Sequence, residues 1–219
     1  AYTYAYISQL GVDDYAVRTS PSPVSFNFSG SNTIGSISAG GNHVICCTKT
    51  GRLLSWGYNK YGQLGLGNTN NSAVPMLIQN IHEFFVSASA GQRHSLFLTN
   101  TGKVYSCGHN QYGTLGQADN NDVWHPSLIH FPSLDGVIKQ VFSGGYHSLF
   151  LVEKDGNSHL WSVGYNATGE LGIGTTTSTH KPIPIPKLEN VVQVAAGSQH
   201  TLVKVQNGSI YGWGYNKFG

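Results

Sequence analysis

Two short motifs recur in fixed order and at almost constant spacing, and this self-similarity restricts the possible folds more than any other feature. The first is Ala39-Gly40-Gly41-Asn42-His43, repeated as Ala90-Gly91-Gln92-Arg93-His94, Gly144-Gly145-Tyr146-His147 and Gly197-Ser198-Gln199-His200. Its histidines stand 51, 53 and 53 residues apart. The second motif runs Ser55-Trp56-Gly57-Tyr58-Asn59-Lys60-Tyr61-Gly62-Gln63-Leu64-Gly65. It returns as Ser106-Cys107-Gly108-His109-Asn110-Gln111-Tyr112-Gly113-Thr114-Leu115-Gly116 and as Ser162-Val163-Gly164-Tyr165-Asn166-Ala167-Thr168-Gly169-Glu170-Leu171-Gly172. A fourth copy opens at Trp213-Gly214-Tyr215-Asn216 and stops mid-motif, and a worn one is visible in Gln9-Leu10-Gly11. The His precedes the Trp position by 13 residues, except in the third copy, where extra residues around Asp155–His159 make it 16. Approximate repeat phases are 1–38 (degenerate), 39–88, 89–142, 143–194 and 195–219 (truncated), all within one domain.

Each period reads as short strands. His43–Thr48, Ser95–Thr99 and Ser148–Glu153 are nearly continuous apolar runs, the pattern of strands covered on both faces. Gly51-Arg52, Thr101-Gly102-Lys103 and Gln206-Asn207-Gly208 are tight-turn chemistry, with Leu53–Gly57 and Val104–Gly108 as partner strands. Ala73–Ile78 and Pro182–Pro186 carry proline, which places them at a sheet edge. Asn59, Asn110, Asn166 and Asn216 suit an Asx-turn or a left-handed residue, and the glycines after them permit positive φ or close backbone approach. Four short strands in about 52 residues make a propeller blade, so the fold expected is an all-β propeller of four-stranded blades.

Composition narrows the function. Glycine takes 28 of 219 positions, and charged residues only 10% against roughly 25% in ordinary domains. The net charge is +2 with no basic block, which argues against nucleic acid as a partner and against an electrostatic membrane surface. A hydrophobic fraction of 39% suffices for a core, and no apolar run reaches the roughly 18–20 residues of a membrane span. Three cysteines, Cys46, Cys47 and Cys107, are not a disulfide framework. They point to a reducing, intracellular compartment, cytoplasmic or nuclear, with ciliary and organellar sites compatible.

The run from Gly51 through Trp56-Gly57 to Gln63-Leu64-Gly65, preceded by Ala-Gly-x-x-His, resembles the repeat of the regulator of chromosome condensation (RCC1-like) family. Kelch repeats fit less well, since the Gly40-Gly41 doublet is lost at Ala90-Gly91 and Gly197-Ser198; WD repeats have a shorter period of about 40–45. The resemblance implies a seven-bladed propeller, of which this chain supplies about four periods and is thus a portion. It implies a protein-interaction or scaffolding module inside a larger protein or assembly, with protein partners. An alternative from the same resemblance is guanine-nucleotide exchange on a Ran-like small GTPase, and a further one is chromatin binding, which the missing basic tail weakens. The plant ultraviolet-B photoreceptor branch depends on clustered tryptophans; here there are four, Trp56, Trp124, Trp161 and Trp213.

Candidate sites are few. Zinc needs nitrogens about 2.0–2.1 Å from the metal, whereas residues at equal phase lie one per blade on a ring. His43, His94, His147 and His200 are therefore expected to be structural, as are Trp56, Trp213, Gly57, Gly108, Gly164 and Gly214. The same holds for Asn59, Asn110, Asn166, Asn216, Leu64, Gly65, Leu115, Gly116, Leu171 and Gly172. Cys107 and Val163 replace the motif's Trp, so that position asks only for an apolar filler. The glycine-rich Gly62–Gly67 lacks the Gly-Lys-Ser/Thr of a phosphate loop, no nucleophile elbow exists, and the acids are scattered. No catalytic, cofactor or metal residue is expected, and no enzyme activity beyond nucleotide exchange. Departures from the repeat are the better pointers: Asp119, Asp122, Trp124 and His125 form a polar, aromatic loop suited to partner contact.

Overall fold

The computed structural model describes residues 9–14, 16–26 and 33–217. Among these there is no helix. The first sheet is β1 (Ile34–Ala39), β2 (His43–Thr48), β3 (Leu53–Gly57) and β4 (Ser72–Leu77), hydrogen-bonded in that order. The second is β5 (Phe85–Ala90), β6 (His94–Thr99), β7 (Val104–Gly108) and β8 (Val123–Leu128). The third is β9 (Val137–Ser143), β10 (His147–Lys154), β11 (Asn157–Gly164) and β12 (Thr179–Glu189). β13 (Val191–Ala196), β14 (His200–Val205) and β15 (Ile210–Gly214) form the fourth. Every pairing is antiparallel, which is the blade architecture expected from the period. Pro75, Pro126 and Pro182 lie on the last strand of their sheets, where a missing N–H breaks no ladder. The innermost strands β1, β5, β9 and β13 each pack against the next.

The core is a series of slabs between blades, with no central core. Ile45, Cys47 and Leu53 of the first sheet meet Phe85, Phe97 and Cys107 of the second. Leu96, Leu98 and Val104 meet Val141, Phe150 and Trp161, and Leu149, Leu151 and Leu160 meet Val194, Val203 and Val205. Successive side chains of β6 alternate between two such slabs, since strand side chains have a period of two. Both faces are thus apolar, and β6 is buried along its whole length. Cys47 and Cys107 are free thiols in the first of these slabs and Cys46 is one against Leu54 and Trp56; burial pushes Cys46 and Cys47 up to about 11 and Cys107 higher still.

The worn first copy joins the same scheme. Gln9-Leu10-Gly11 sits against Trp56, whose indole N–H donates to the Gln9 carbonyl at 2.9 Å. In the fourth sheet the Trp213 indole donates to the Glu170 carbonyl at 2.8 Å in the same way. Asp13, Gly67 and Ala118 end equivalent turns with positive φ of 60°, 75° and 66°. Their N–H groups donate to Ala73, Trp124 and His180 on the outer strand of the following blade.

The repeated asparagines do not adopt left-handed backbone; none has positive φ. Their side chains peg the outer loop. Asn110 is fully buried, donates through Nδ2 to the Asp119 carbonyl at 2.9 Å, and accepts the Leu115 N–H at 2.9 Å. Asn59 and Asn166 make the same bonds to Asn68 and Leu64 and to Thr175 and Leu171. The donor lies five residues on and the acceptor nine, so the peg spans more than an Asx-turn. Asn110→Asp would set a buried carboxylate oxygen against the Asp119 carbonyl and lose about 2–4 kcal/mol in denaturant unfolding. Asn216→Asp, on an exposed residue, should stay within about 0.5 kcal/mol. Equal losses at the two positions would contradict the peg.

Candidate interaction face

Three of the phased histidines are consumed by blade-to-blade bonding. His43 Nε2 lies 2.9 Å from Ser95 Oγ of the next blade, His94 Nε2 3.1 Å from Ser148 Oγ, and His147 Nε2 3.2 Å from Thr201 Oγ1. Ser95 and Ser148 spend their single hydroxyl proton on the carbonyls of Gln63 and Thr114, so their imidazoles must donate through Nε2. Burial holds His43 and His147 down to about 4 and His94 to about 3, with the charges of His43, His147 and His109 adding to the effect on His94. The histidines occupy separate interfaces and do not converge. Among the described residues no group of three His, Cys, Asp or Glu is arranged to hold a metal. His200, on the last sheet, is exposed.

The same turn carbonyl also explains the Trp position. Where Val44 precludes a hydroxyl, Trp56 donates its N–H to Gln9; where Cys107 or Val163 replaces Trp, Ser95 or Ser148 supplies the donor instead. The position is therefore more than the apolar filler expected from the sequence: indole N–H and serine hydroxyl are exchangeable solutions for one buried acceptor. Leu64, Leu115 and Leu171 plug the turns and are fully buried, while Gly65 and Gly116 abut Pro126 and Pro182, and Gly11 and Gly172 the Trp56 and Trp213 rings. Gly57, Gly108, Gly164 and Gly214 pair with the motif histidines at the open ends of the β2–β3 type hairpins; at Gly108 (φ 111°) a Cβ would lie 2.5 Å from the Arg93 carbonyl oxygen.

In the loop singled out for partner contact, the carboxylates serve the fold: Asp122 Oδ1 accepts the Asn110 N–H at 2.8 Å, and Asp119 Oδ1 the Asn121 N–H at 3.0 Å. Trp124 and His125 are exposed, with the Trp124 backbone laid against Gly62 of the preceding blade. The four tryptophans fall on four different sheets.

A cluster absent from the sequence reading lies at the opposite end of the blades from the β2–β3 type turns. Tyr58, His109, Tyr165 and Tyr215 donate their backbone N–H to Asn42, Arg93, Tyr146 and Gln199, which brings these phases together on one rim. Ring contacts then run from Tyr58 to Tyr61 (6.2 Å), Tyr61 to His109 (4.7 Å), and Tyr112 to Tyr146 (5.6 Å) and Tyr165 (4.9 Å). Arg93 is inserted among them, 4.9 Å from the Tyr61 ring and 5.9 Å from that of Tyr146, with Nη1 donating to the Tyr61 hydroxyl at 3.0 Å. Burial lowers the His109 pKa, the nearby Asp122 charge opposing. Tyr58, Tyr61, Arg93, Tyr112, Tyr146 and Tyr165 are half-buried and His109 is buried. The signal was present as aromatic residues at equal phases, but only folding shows that three phases share one rim.

Antiparallel blades around inner strands, zipped by imidazole–hydroxyl pairs, define a β-propeller with a rim of tyrosines and one arginine. The chain belongs to the RCC1-like domain family, whose model matches residues 7–219. It is 33% identical over 186 residues to the Arabidopsis thaliana ultraviolet-B receptor UVR8, covering 84% of this chain and 41% of the receptor. The human E3 ubiquitin-protein ligase HERC2 is 33% identical over 186 residues, 82% of this chain and 4% of the ligase. Yeast RCC1 (Prp20) bound to Kap60 superposes with a TM-score of 0.74 at 25% identity, covering 86% of this chain and 45% of Prp20. Human WBSCR16 gives a TM-score of 0.76 at 22% identity, over 86% and 49% of the two chains. The chain thus spans less than half of each relative named.

Proposed function

We propose that the chain is a non-catalytic protein-interaction propeller that engages partner proteins through the tyrosine–arginine rim. The observation that carries this is the rim itself: aromatic side chains and arginine, the residue types enriched at interface hot spots, run unbroken across three blades. The rigid sheets beneath hold these side chains in place, which lowers the ordering cost of binding. Trp124 and His125 lie on outer strands and would contribute only to a large partner. The exposure of Leu202, at 48% where its phase-mates Leu96 and Leu149 are fully buried, supports a further blade against the fourth sheet, within a seven-bladed ring. Free, buried thiols suit a reducing compartment. Photo-crosslinking tests the face. Benzoylphenylalanine installed at Tyr61, Tyr112 or Tyr165 should cross-link proteins from a native extract, whereas the label at Asp155 or Asn207, in turns at the other end, should not. Equal or stronger cross-linking from those turns would reject the rim as the interface.

A second reading, guanine-nucleotide exchange on a small GTPase, draws on the likeness to Prp20p, whose structure was described with its binding to Gsp1p and histones. Its test is nucleotide release from a panel of small GTPases, and no acceleration by the chain within its complete parent protein would remove it.

A further inference from the structure

The rim has an excess of donors at one point. Arg93 carries five N–H donors in a planar fork, and among the described residues no carboxylate lies within ion-pair distance of it. The acidic groups nearest in the repeat are occupied: Asp122 holds the Asn110 N–H, and the buried Glu170 accepts both the N–H and the hydroxyl of Thr168. Lys60, in the same turn as Tyr58 and Tyr61, adds a second exposed positive charge.

Beneath lies a second, independent deficit. Gln63 is fully buried; its Oε1 accepts the Tyr61 N–H at 3.1 Å, but its Nε2 has no partner. In its phase-mate Gln9 the same group is paired: Nε2 donates at 3.0 Å to Asn42 Oδ1 on the next blade. In the following blade the position of Asn42 is held by Arg93, a side chain that can only donate. The repeat has thus exchanged an acceptor for a donor at this one junction, leaving, among the described residues, the Gln63 amide N–H without a partner and the Arg93 guanidinium without a carboxylate, its Nη1 held only by the Tyr61 hydroxyl. An unpaired buried donor is costly, so the arrangement gains when an acceptor arrives.

We propose that the notch between Tyr61, Arg93 and Tyr146 receives an aspartate or glutamate side chain from an extended segment of a partner protein. The fork of Arg93 matches a carboxylate in a bidentate pair, and the flanking tyrosine rings cover the partner's adjoining apolar atoms. This rests on the interaction reading above and specifies its partner's chemistry.

The test uses the full chain and dye-labelled poly(Glu,Tyr) copolymer as probe, read by fluorescence anisotropy. Saturable binding is expected, weakened tenfold or more by Arg93→Gln, and only part of the way by Arg93→Lys, which keeps the charge but not the fork. Arg52→Gln, in a turn at the other end, should leave it within twofold, as should the thermal unfolding midpoint of each variant remain near that of the parent. Three results would overturn the proposal: poly(Lys,Tyr) binding equally well, Arg93→Gln binding within twofold of the parent, or labelled duplex DNA competing at equal concentration. If rim cross-links persist while the copolymer ignores Arg93, the interaction reading stands and the acidic-segment inference alone falls.

Discussion

Lowering the pH from 7 to 4 should remove on the order of 10 kcal/mol of folding stability, most of what an ordinary domain possesses. The source is His43, His94 and His147, held neutral at about 4, 3 and 4 in the folded protein. Unfolded, each returns to about 6.5. The unfolded chain therefore binds more protons than the folded one between pH 6.5 and roughly 4. Stability is complete above pH 6.5, falls as the pH drops through this window, and levels off below the folded values. Each histidine contributes about 3 kcal/mol, at 1.36 kcal/mol per unit of displacement. The geometry supplies the reason. Nε2 of His43 and His94 already donates to a hydroxyl, and the Nδ1 of His43 and of His147 is buried without a partner, so a second ring proton finds no acceptor there. Urea titrations at pH 7, 6 and 5 are the measurement, since few carboxylates titrate there. A flat midpoint across that range would refute the assignment. His94→Gln should make the slope shallower by about one proton.

Gly91→Ala should cost more than about 3 kcal/mol, while the equivalent Gly197→Ala should cost under about 1 kcal/mol. A Cβ on Gly91 would lie 2.2 Å from Cε1 of His94 and 2.7 Å from the Gly144 carbonyl oxygen of the next blade. Neither can yield, because His94 is fully enclosed and bonded to Ser148 and the carbonyl belongs to the neighbouring loop. At Gly197 the three atoms nearest the Cβ all belong to the His200 ring, which is exposed and can rotate away. Neither glycine has positive φ, so the contrast isolates packing from backbone strain. A double-mutant cycle sharpens it: part of the Gly91→Ala loss should vanish in a His94→Ala background, with a coupling of at least about 1 kcal/mol. Additive losses would show that the ring is not what excludes the methyl group.

The legible parts of this protein were those written into every repeat. The period of about 52 residues, the apolar runs His43–Thr48 and Ser148–Glu153, and prolines on outer strands all follow from local chemistry, and the blades form as that chemistry requires. The asparagines show where such reasoning stops. Asn110 is a familiar turn residue, but its role depends on a carbonyl nine residues away at Asp119, which no local propensity specifies. The exchange of Trp56 for the Ser95–Cys107 pair is of the same kind. It is invisible until the donor and the carbonyl it serves are seen to come from different blades.

By itself the sequence determined the unit, a four-stranded antiparallel blade with a proline on its outer edge, because the strand pattern, the turns and the proline depend on residues within one period. The tertiary structure alone decided what adjacent units make together. Tyr61, Arg93, His109 and Tyr146 are up to 85 positions apart, and they meet because stacking successive blades brings equal and neighbouring phases to one rim. The same stacking that pairs Gln9 with Asn42 leaves the Gln63 amide N–H without an acceptor, since Arg93 stands where the next Asn42 would be. Hydrogen-bond complementarity is a property of two neighbours, and no single repeat contains both.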